Sequence, residues 1–393
     1  MSFRLVLNAR ILVKTCLTLA VLLAASRASA QPANGGPPVY PIERVQPQVH
    51  EATIDLGIFA EQLVVDENGP LLAQRSEVLI PIILQGAYSK ADPSTISISG
   101  TINGQIFREG SIPWSLRGPR PDGAAEIVVE LIDLRAQSVG VKVTWTQQTW
   151  LPQINEVDAM RSTWPAEWPE ATRPFLKPEP WIQSDDQFLI DFVTRISKGN
   201  LRGVSPYGAA KELIRESVLA YKSISGTGNE RREFGLISGL QLIGASESAR
   251  AATGSPNDLV CTCIAILRAA GIPARPVVGI VKEMTKDLKE RTRWRTWGEF
   301  YVPKAGWVPF DPNIMRGSGF QFRGLDAAWP GFANIKDFNE RIPVAYRFQP
   351  EGSLWHWPPV WGFIYGGDLN RARKIYSQTS LMRIGRGDGI PDP

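Results

Sequence analysis

Residues 254–279 read GSPNDLVCTCIAILRAAGIPARPVVG. Three elements follow one another in this stretch. Leu259 to Ala270 is an apolar run with helical spacing, Gly271 is a helix stop, and Ile272-Pro273 leads into a β-branched strand at Arg275–Val281. The helix carries Cys261 and Cys263, and the third cysteine of the chain, Cys16, lies far upstream. Whether either helix cysteine attacks a substrate is the question the stretch raises.

Outward from it, the pattern is helical on the N-terminal side and extended on the C-terminal side. Phe188, Leu189, Phe192, Val193 and Ile196 fit one helical face, Ala209, Leu213, Val218 and Tyr221 a second, and Leu236–Arg250 is expected as a third helix. After a charged loop (KEMTKDLKER), Trp294–Val302 and Trp307–Phe310 predict two strands joined by a turn at Lys304-Ala305-Gly306.

The segment 49–150 has period two instead. Val78–Leu84, Ile96 and Ile98, Ile127–Ile132 and Val139-Val141-Val143-Trp145 predict strands, and Asn103-Gly104 is a hairpin signal. These patterns predict an α+β chain with an N-terminal antiparallel, β-sandwich-like domain. Residues 151–182 form a Trp/Pro-rich connector, in which Pro165, Pro169, Pro174, Pro178 and Pro180 oppose regular structure while Trp164, Trp168, Phe175 and Trp181 need burial. The domain expected next spans 183–345. Residues 346–393 are expected to be an irregular, aromatic-rich tail.

The first thirty residues read as a cleavable export signal. Arg4, Arg10 and Lys14 precede an apolar run, Thr15–Ala25, and Ala28-Ser29-Ala30 is a cleavage site, so a mature chain is expected to begin at Gln31 with a Pro/Gly-rich leader, 31–48. The expected location is therefore periplasmic or secreted. The apolar run is too short to span a bilayer, and no later stretch suggests a transmembrane segment. Of 43 basic residues, Arg4, Arg10, Lys14 and Arg27 leave with the signal. The remaining 39 equal the 39 acidic ones, so bulk charge gives no case for nucleic acid. Two remaining cysteines, two residues apart, form no disulfide framework. No metal-ligand cluster or cofactor motif stands out, and none is expected.

The ordered set Leu267–Arg275 (LRAAGIPAR), Trp297-Gly298-Glu299-Phe300-Tyr301, Gly306-Trp307 and Asp311-Pro312 resembles the transglutaminase-like superfamily, a papain-like cysteine-enzyme core. The resemblance implies helices packed on an antiparallel sheet. It also implies a cysteine nucleophile at the start of the core helix, twelve residues before the Arg of LRA, with a histidine opening H-A-W-x-E and an aspartate opening D-P. In this chain those positions hold Pro256, Arg295 and Asp311. Proline has no nucleophile but suits a first helical turn. Arginine stays protonated and cannot act as a general base, yet it can pair with a carboxylate. The resemblance, with two of three identities replaced, implies a degenerate site with no catalytic residue.

Cys261 lies five positions past Pro256 and points about 140° away on an α-helix, and Cys263 is displaced about 10 Å along the axis. A working transamidase or amide hydrolase would need Cys263 or Cys261 beside His356, one of the two histidines with His50. Arg291, Arg293 and Arg295 alternate onto one strand face with Trp297. With Asp311 they are candidates for a cleft that binds a carboxylate, or else for a solvated strand end. Trp355, His356, Trp357 and Trp361 are a binding platform or tail residues packed over the core. The expected function is a binding or scaffolding module for a protein, peptide or cell-wall partner. A purely structural envelope protein is the further alternative.

Overall fold

The computed structural model describes residues 42–63, 73–107, 110, 112–134, 136–224, 230–233, 236–284, 290–348, 360–364 and 372–386. The signal, most of the leader, and Trp355, His356 and Trp357 lie outside them.

Among the described residues seven strands come first: β1 (Glu43–Leu63), β2 (Ala73–Ile83), β3 (Ser89–Ile102), β4 (Gln105–Phe107), β5 (Trp114–Arg117), β6 (Ala124–Leu134) and β7 (Ser138–Gln153). Asn103 and Gly104 both take positive φ in the two-residue turn between β3 and β4, as a primed hairpin turn demands. Alternation sends one face of each strand inward. Ala52, Ile54, Leu56 and Ile58 of β1 and Val139, Val141, Val143 and Trp145 of β7 join Val78, Ile80 and Ile82 of β2 and Ile127 and Val129 of β6 in one apolar cluster.

The connector follows. Asn155 caps the short helix α1 (Glu156–Ala159), and a 3₁₀ turn occupies Glu170–Leu176. Phe175 is buried, while Trp164, Trp168 and Trp181 are half-buried. Then come α2 (Gln187–Ser197), α3 (Pro206–Ala220), the short strands β8 (Ser223–Ile224), β9 (Glu230–Glu233) and β10 (Leu236–Leu240), α4 (Ala245–Ala251), β11 (Thr253–Gly254) and α5 (Pro256–Ala269). Leu236–Arg250 is thus a strand and a short helix, not one helix. Gly239 and Gly244 interrupt it, and Gly244 adopts φ 104°, which a helix cannot hold.

Helix α5 is the axis of the second half, buried from Asn257 to Arg268. It packs against α2, α3 and α4 on one side and on the other against β12 (Ala274–Met284) and β13 (Glu290–Val302). With β14 (Gly306–Phe310) and β15 (Ile342–Ala345) these strands form an antiparallel sheet of order β14-β13-β12-β15. A last helix, α6 (Pro312–Arg316), follows β14.

The C-terminal residues are more regular than expected. β16 (Gly362–Ile364) extends the sheet of β2, β6 and β5, and β17 (Ala372–Arg386) inserts between β1 and β10 in a sheet of order β4-β3-β7-β1-β17-β10-β9. Its pairing with β1 runs from His50↔Arg386 to Leu63↔Ala372. The described residues belong to one compact unit.

Candidate functional site

The N-terminus of α5 is closed by its own residues. Ser255 is the N-cap: its Oγ accepts from Asp258 N at 3.1 Å, while the Asp258 carboxylate accepts from Ser255 N at 2.9 Å. This reciprocal pair satisfies two of the helix's free donors. The other Asp258 oxygen accepts from Ile243 N (2.8 Å) and Gly244 N (2.9 Å), and the Gln241 carbonyl accepts from Ser255 Oγ (2.6 Å) and Asn257 Nδ2 (3.2 Å). Pro256 occupies the first helical position and is half-buried. Its carbonyl accepts from Asn313 Nδ2 at 3.1 Å, which brings α6 against the start of α5.

Asp311 sits at the head of α6, fully buried, and caps it by accepting from Asn313 N (3.1 Å) and Ile314 N (3.3 Å). Its other oxygen faces two guanidinium groups, Arg341 Nη1 at 2.9 Å and Arg295 Nε at 3.6 Å. Arg295 Nη1 donates to Glu283 Oε1 at 2.6 Å. The cluster therefore holds two cations and two anions in mutual contact. Burial pushes the Asp311 carboxyl up, but the charges of Arg295 and Arg341 outweigh it and hold the group below the ordinary carboxylate range. For Arg295 burial works against the charge, yet Asp311 and Glu283 keep it more firmly protonated than usual. For Arg341 burial wins, and its pKa falls.

Arg295 and Asp311 are thus in contact, and Asn313, two residues past Asp311, holds the Pro256 carbonyl where α6 meets the start of α5. Residues 238–312, which contain Pro256, Arg295 and Asp311, match the model of the transglutaminase-like superfamily. That segment is a transglutaminase-like core. Among solved structures, a proposed cysteine protease from Cytophaga hutchinsonii is similar at 14% identity, with a TM-score of 0.54 over 90% of this chain and 95% of that one. That likeness is one of fold, and it covers nearly the whole chain. The red sea bream transglutaminase structure aligns at 11% identity over 68% of this chain and 52% of its own, with a TM-score of 0.25 that carries no weight. None of the curated proteins matches the chain in sequence.

Inside the transglutaminase-like core both thiols are enclosed. Cys261 and Cys263 have no solvent exposure and form no disulfide. Burial pushes both thiols up, well away from thiolate formation, and Asp258 adds to the rise at Cys261. His50 lies on β1, where its Nε2 contacts the Asn339 carbonyl at 2.8 Å and Thr149 Oγ1 at 3.1 Å. Burial lowers its pKa.

The five cleft candidates are arranged unevenly. Arg291 is exposed and Arg293 half-buried, opposite Glu283 and Val281 of β12. Arg295 and Asp311 are bound to each other, and Trp297 is 1% exposed. The indole of Trp297 crosses Gly279, where an added Cβ would come within 2.6 Å of the ring. Gly279 is thus where the strand must stay bare to seat it. Trp294 points to the opposite face and joins the main core.

Sequence reasoning missed Arg341 and Glu283. Arg341 lies 30 residues beyond Asp311 with no motif around it, and only the tertiary fold brings it to the carboxylate. Glu283 left a faint signal, a lone acid opposite the alternating arginines.

Proposed function

We propose that the protein is a non-catalytic member of the transglutaminase-like group: an exported binding or scaffolding module for a protein, peptide or cell-wall partner. One observation carries the reading. The start of the core helix is a half-buried proline, and both thiols lie in the apolar interior with their pKa values raised. A thioester mechanism needs an exposed, easily ionised sulfur beside an imidazole. The guanidinium of Arg295, tied to Asp311 and Glu283, supports a structural part for that position. Arg291, exposed, and Arg293, half-buried, lie at the same strand end and are the contacts we assign to a partner's carboxylates.

Thiol labelling tests this. The mature chain beginning at Gln31, which lacks Cys16, is treated with a small thiol reagent near neutral pH. Neither cysteine is expected to react until the protein is unfolded. The variant Pro256→Cys is expected to react in the folded state, showing that the reagent reaches the helix start. Fast labelling of Cys261 or Cys263 in the folded wild type, persisting below the usual thiol range, would overturn the reading in favour of a cysteine enzyme.

A further inference from the structure

A different buried pair has geometry the binding role does not use. Lys211, on α3, has no solvent exposure, and its Nζ lies 2.5 Å from Oε2 of Glu156, the first residue of α1. Three aromatic rings enclose the nitrogen: Trp329 at 4.7 Å, Phe332 at 5.4 Å and Tyr207 at 5.9 Å from their centroids. The rings themselves are buried, so water has little access to the pair. Nζ also donates to the Ala327 carbonyl at 2.8 Å, and Tyr207 Oη donates to the same Glu156 Oε2 at 2.9 Å. Glu156 Oε1, by contrast, is buried with no hydrogen-bond partner.

As an ion pair the arrangement leaves polar capacity unused. A carboxylate has two accepting oxygens and an ammonium three donors, but here one oxygen has no partner and the ammonium finds two acceptors. Burying such unmatched groups is unfavourable. An amide between the two side chains uses everything present. Its N–H would donate to Ala327 O, its carbonyl oxygen, the present Oε2, would accept from Tyr207, and the unpartnered Oε1 is the atom that would leave.

We propose that Lys211 and Glu156 condense into an intramolecular amide that fastens the Trp/Pro-rich connector to the core. The bond formed is Nζ–Cδ and the bond broken is Cδ–Oε1. Two of the three Nζ protons depart with Oε1 as one water molecule, and the third remains on nitrogen. Charge balances, since one cation and one anion are consumed, and no oxidant, reductant or other reactant is required. One Nζ proton first passes to the Glu156 carboxylate across the 2.5 Å contact, which frees the nitrogen lone pair, and Tyr207 polarises the carbonyl from Oε2 as the neutral amine adds to Cδ. The aromatic enclosure keeps out the water that would solvate the ions and return the equilibrium to the open pair.

Intact mass spectrometry of the denatured wild-type chain decides the matter, because it does not depend on any variant folding. The expected mass is lower than the sequence mass by one water, with a branched proteolytic peptide joining the segments around Glu156 and Lys211. Glu156→Ala and Lys211→Met, denatured and measured in the same way, are expected at full sequence mass. A wild-type mass equal to the sequence mass, with Glu156 and Lys211 recovered in separate linear peptides, would overturn the proposal. So would a lost water mapped to another site.

Discussion

The two ends of helix α5 differ in kind. At its C-terminal end the transglutaminase-like pattern LRAAGIPAR is intact, and each charged residue in it supports the corner between helix and sheet. Arg268 donates to the carbonyls of Ala274 (2.7 Å) and Lys177 (2.6 Å), and Arg275 binds Glu299 at 2.7–2.8 Å between the rings of Tyr346 (3.5 Å) and Trp307 (4.0 Å). Gly271 takes φ 74° to end the helix. At the N-terminal end, where the pattern places chemistry, a proline and a self-sufficient cap stand instead. The difference separates what a motif reports. Residues that turn a corner are constrained by burial and hydrogen bonding whatever the protein does, whereas a nucleophile is constrained only by its reaction.

The contrast can be broken most severely at Arg275. Arg275→Met leaves the buried Glu299 without its cation and is expected to lower stability by about 4 kcal/mol, since removing one partner of a buried pair strands the other. Urea unfolding checks it. A loss below about 1 kcal/mol would mean that the corner is not what holds the fold. Asp311→Asn is expected to cost less, about 3 kcal/mol, because the amide still caps α6 and Arg295 keeps Glu283; only Arg341 is stranded. It also carries a pH signature. The Asp311 carboxyl is depressed in the folded state, so its stabilisation is complete above the unfolded carboxylate value near ~3.9 and is lost as pH falls through the folded value. Acid unfolding of the wild type should show this loss, and Asp311→Asn should lack that component. Ser255→Ala is the mildest change: it removes the cap hydrogen bond from Asp258 N and the donor to the Gln241 carbonyl, which keeps Asn257 Nδ2, for about 1 kcal/mol. Thermal unfolding resolves it, and a cost as large as that of Arg275→Met would erase the distinction between the two ends.

Legibility in the sequence followed the range of the interactions. The core helix, its glycine stop and the strand after it were readable because period, stop signal and β-branching all lie within a few residues. The Asn103-Gly104 hairpin was readable for the same reason. Strand β17 was not, because what orders it is pairing with β1, more than three hundred residues earlier, and strand formation depends on such partners more than on local preference. At the candidate site, Pro256, Arg295 and Asp311 are the positions that the transglutaminase-like resemblance implies, each within one motif series. Arg341 was invisible because its partner carboxylate is reached only through the turn at Phe338–Glu340.

The place of β17 between β1 and β10 bears on how the molecule is made. A chain emerging from synthesis in order presents β1, β7 and β3 early, yet the strand that joins β1 to β10 and β9 follows β1 by more than three hundred residues. Until residues 372–386 appear, the widest sheet of the protein is two separate pieces, with a long edge of β1 unpaired. Contacts spanning so much sequence slow folding, and an unpaired edge invites association with other chains. The growing polypeptide is thus vulnerable until residues 372–386 arrive, and a chain truncated before residue 372 would leave that sheet with its seam open.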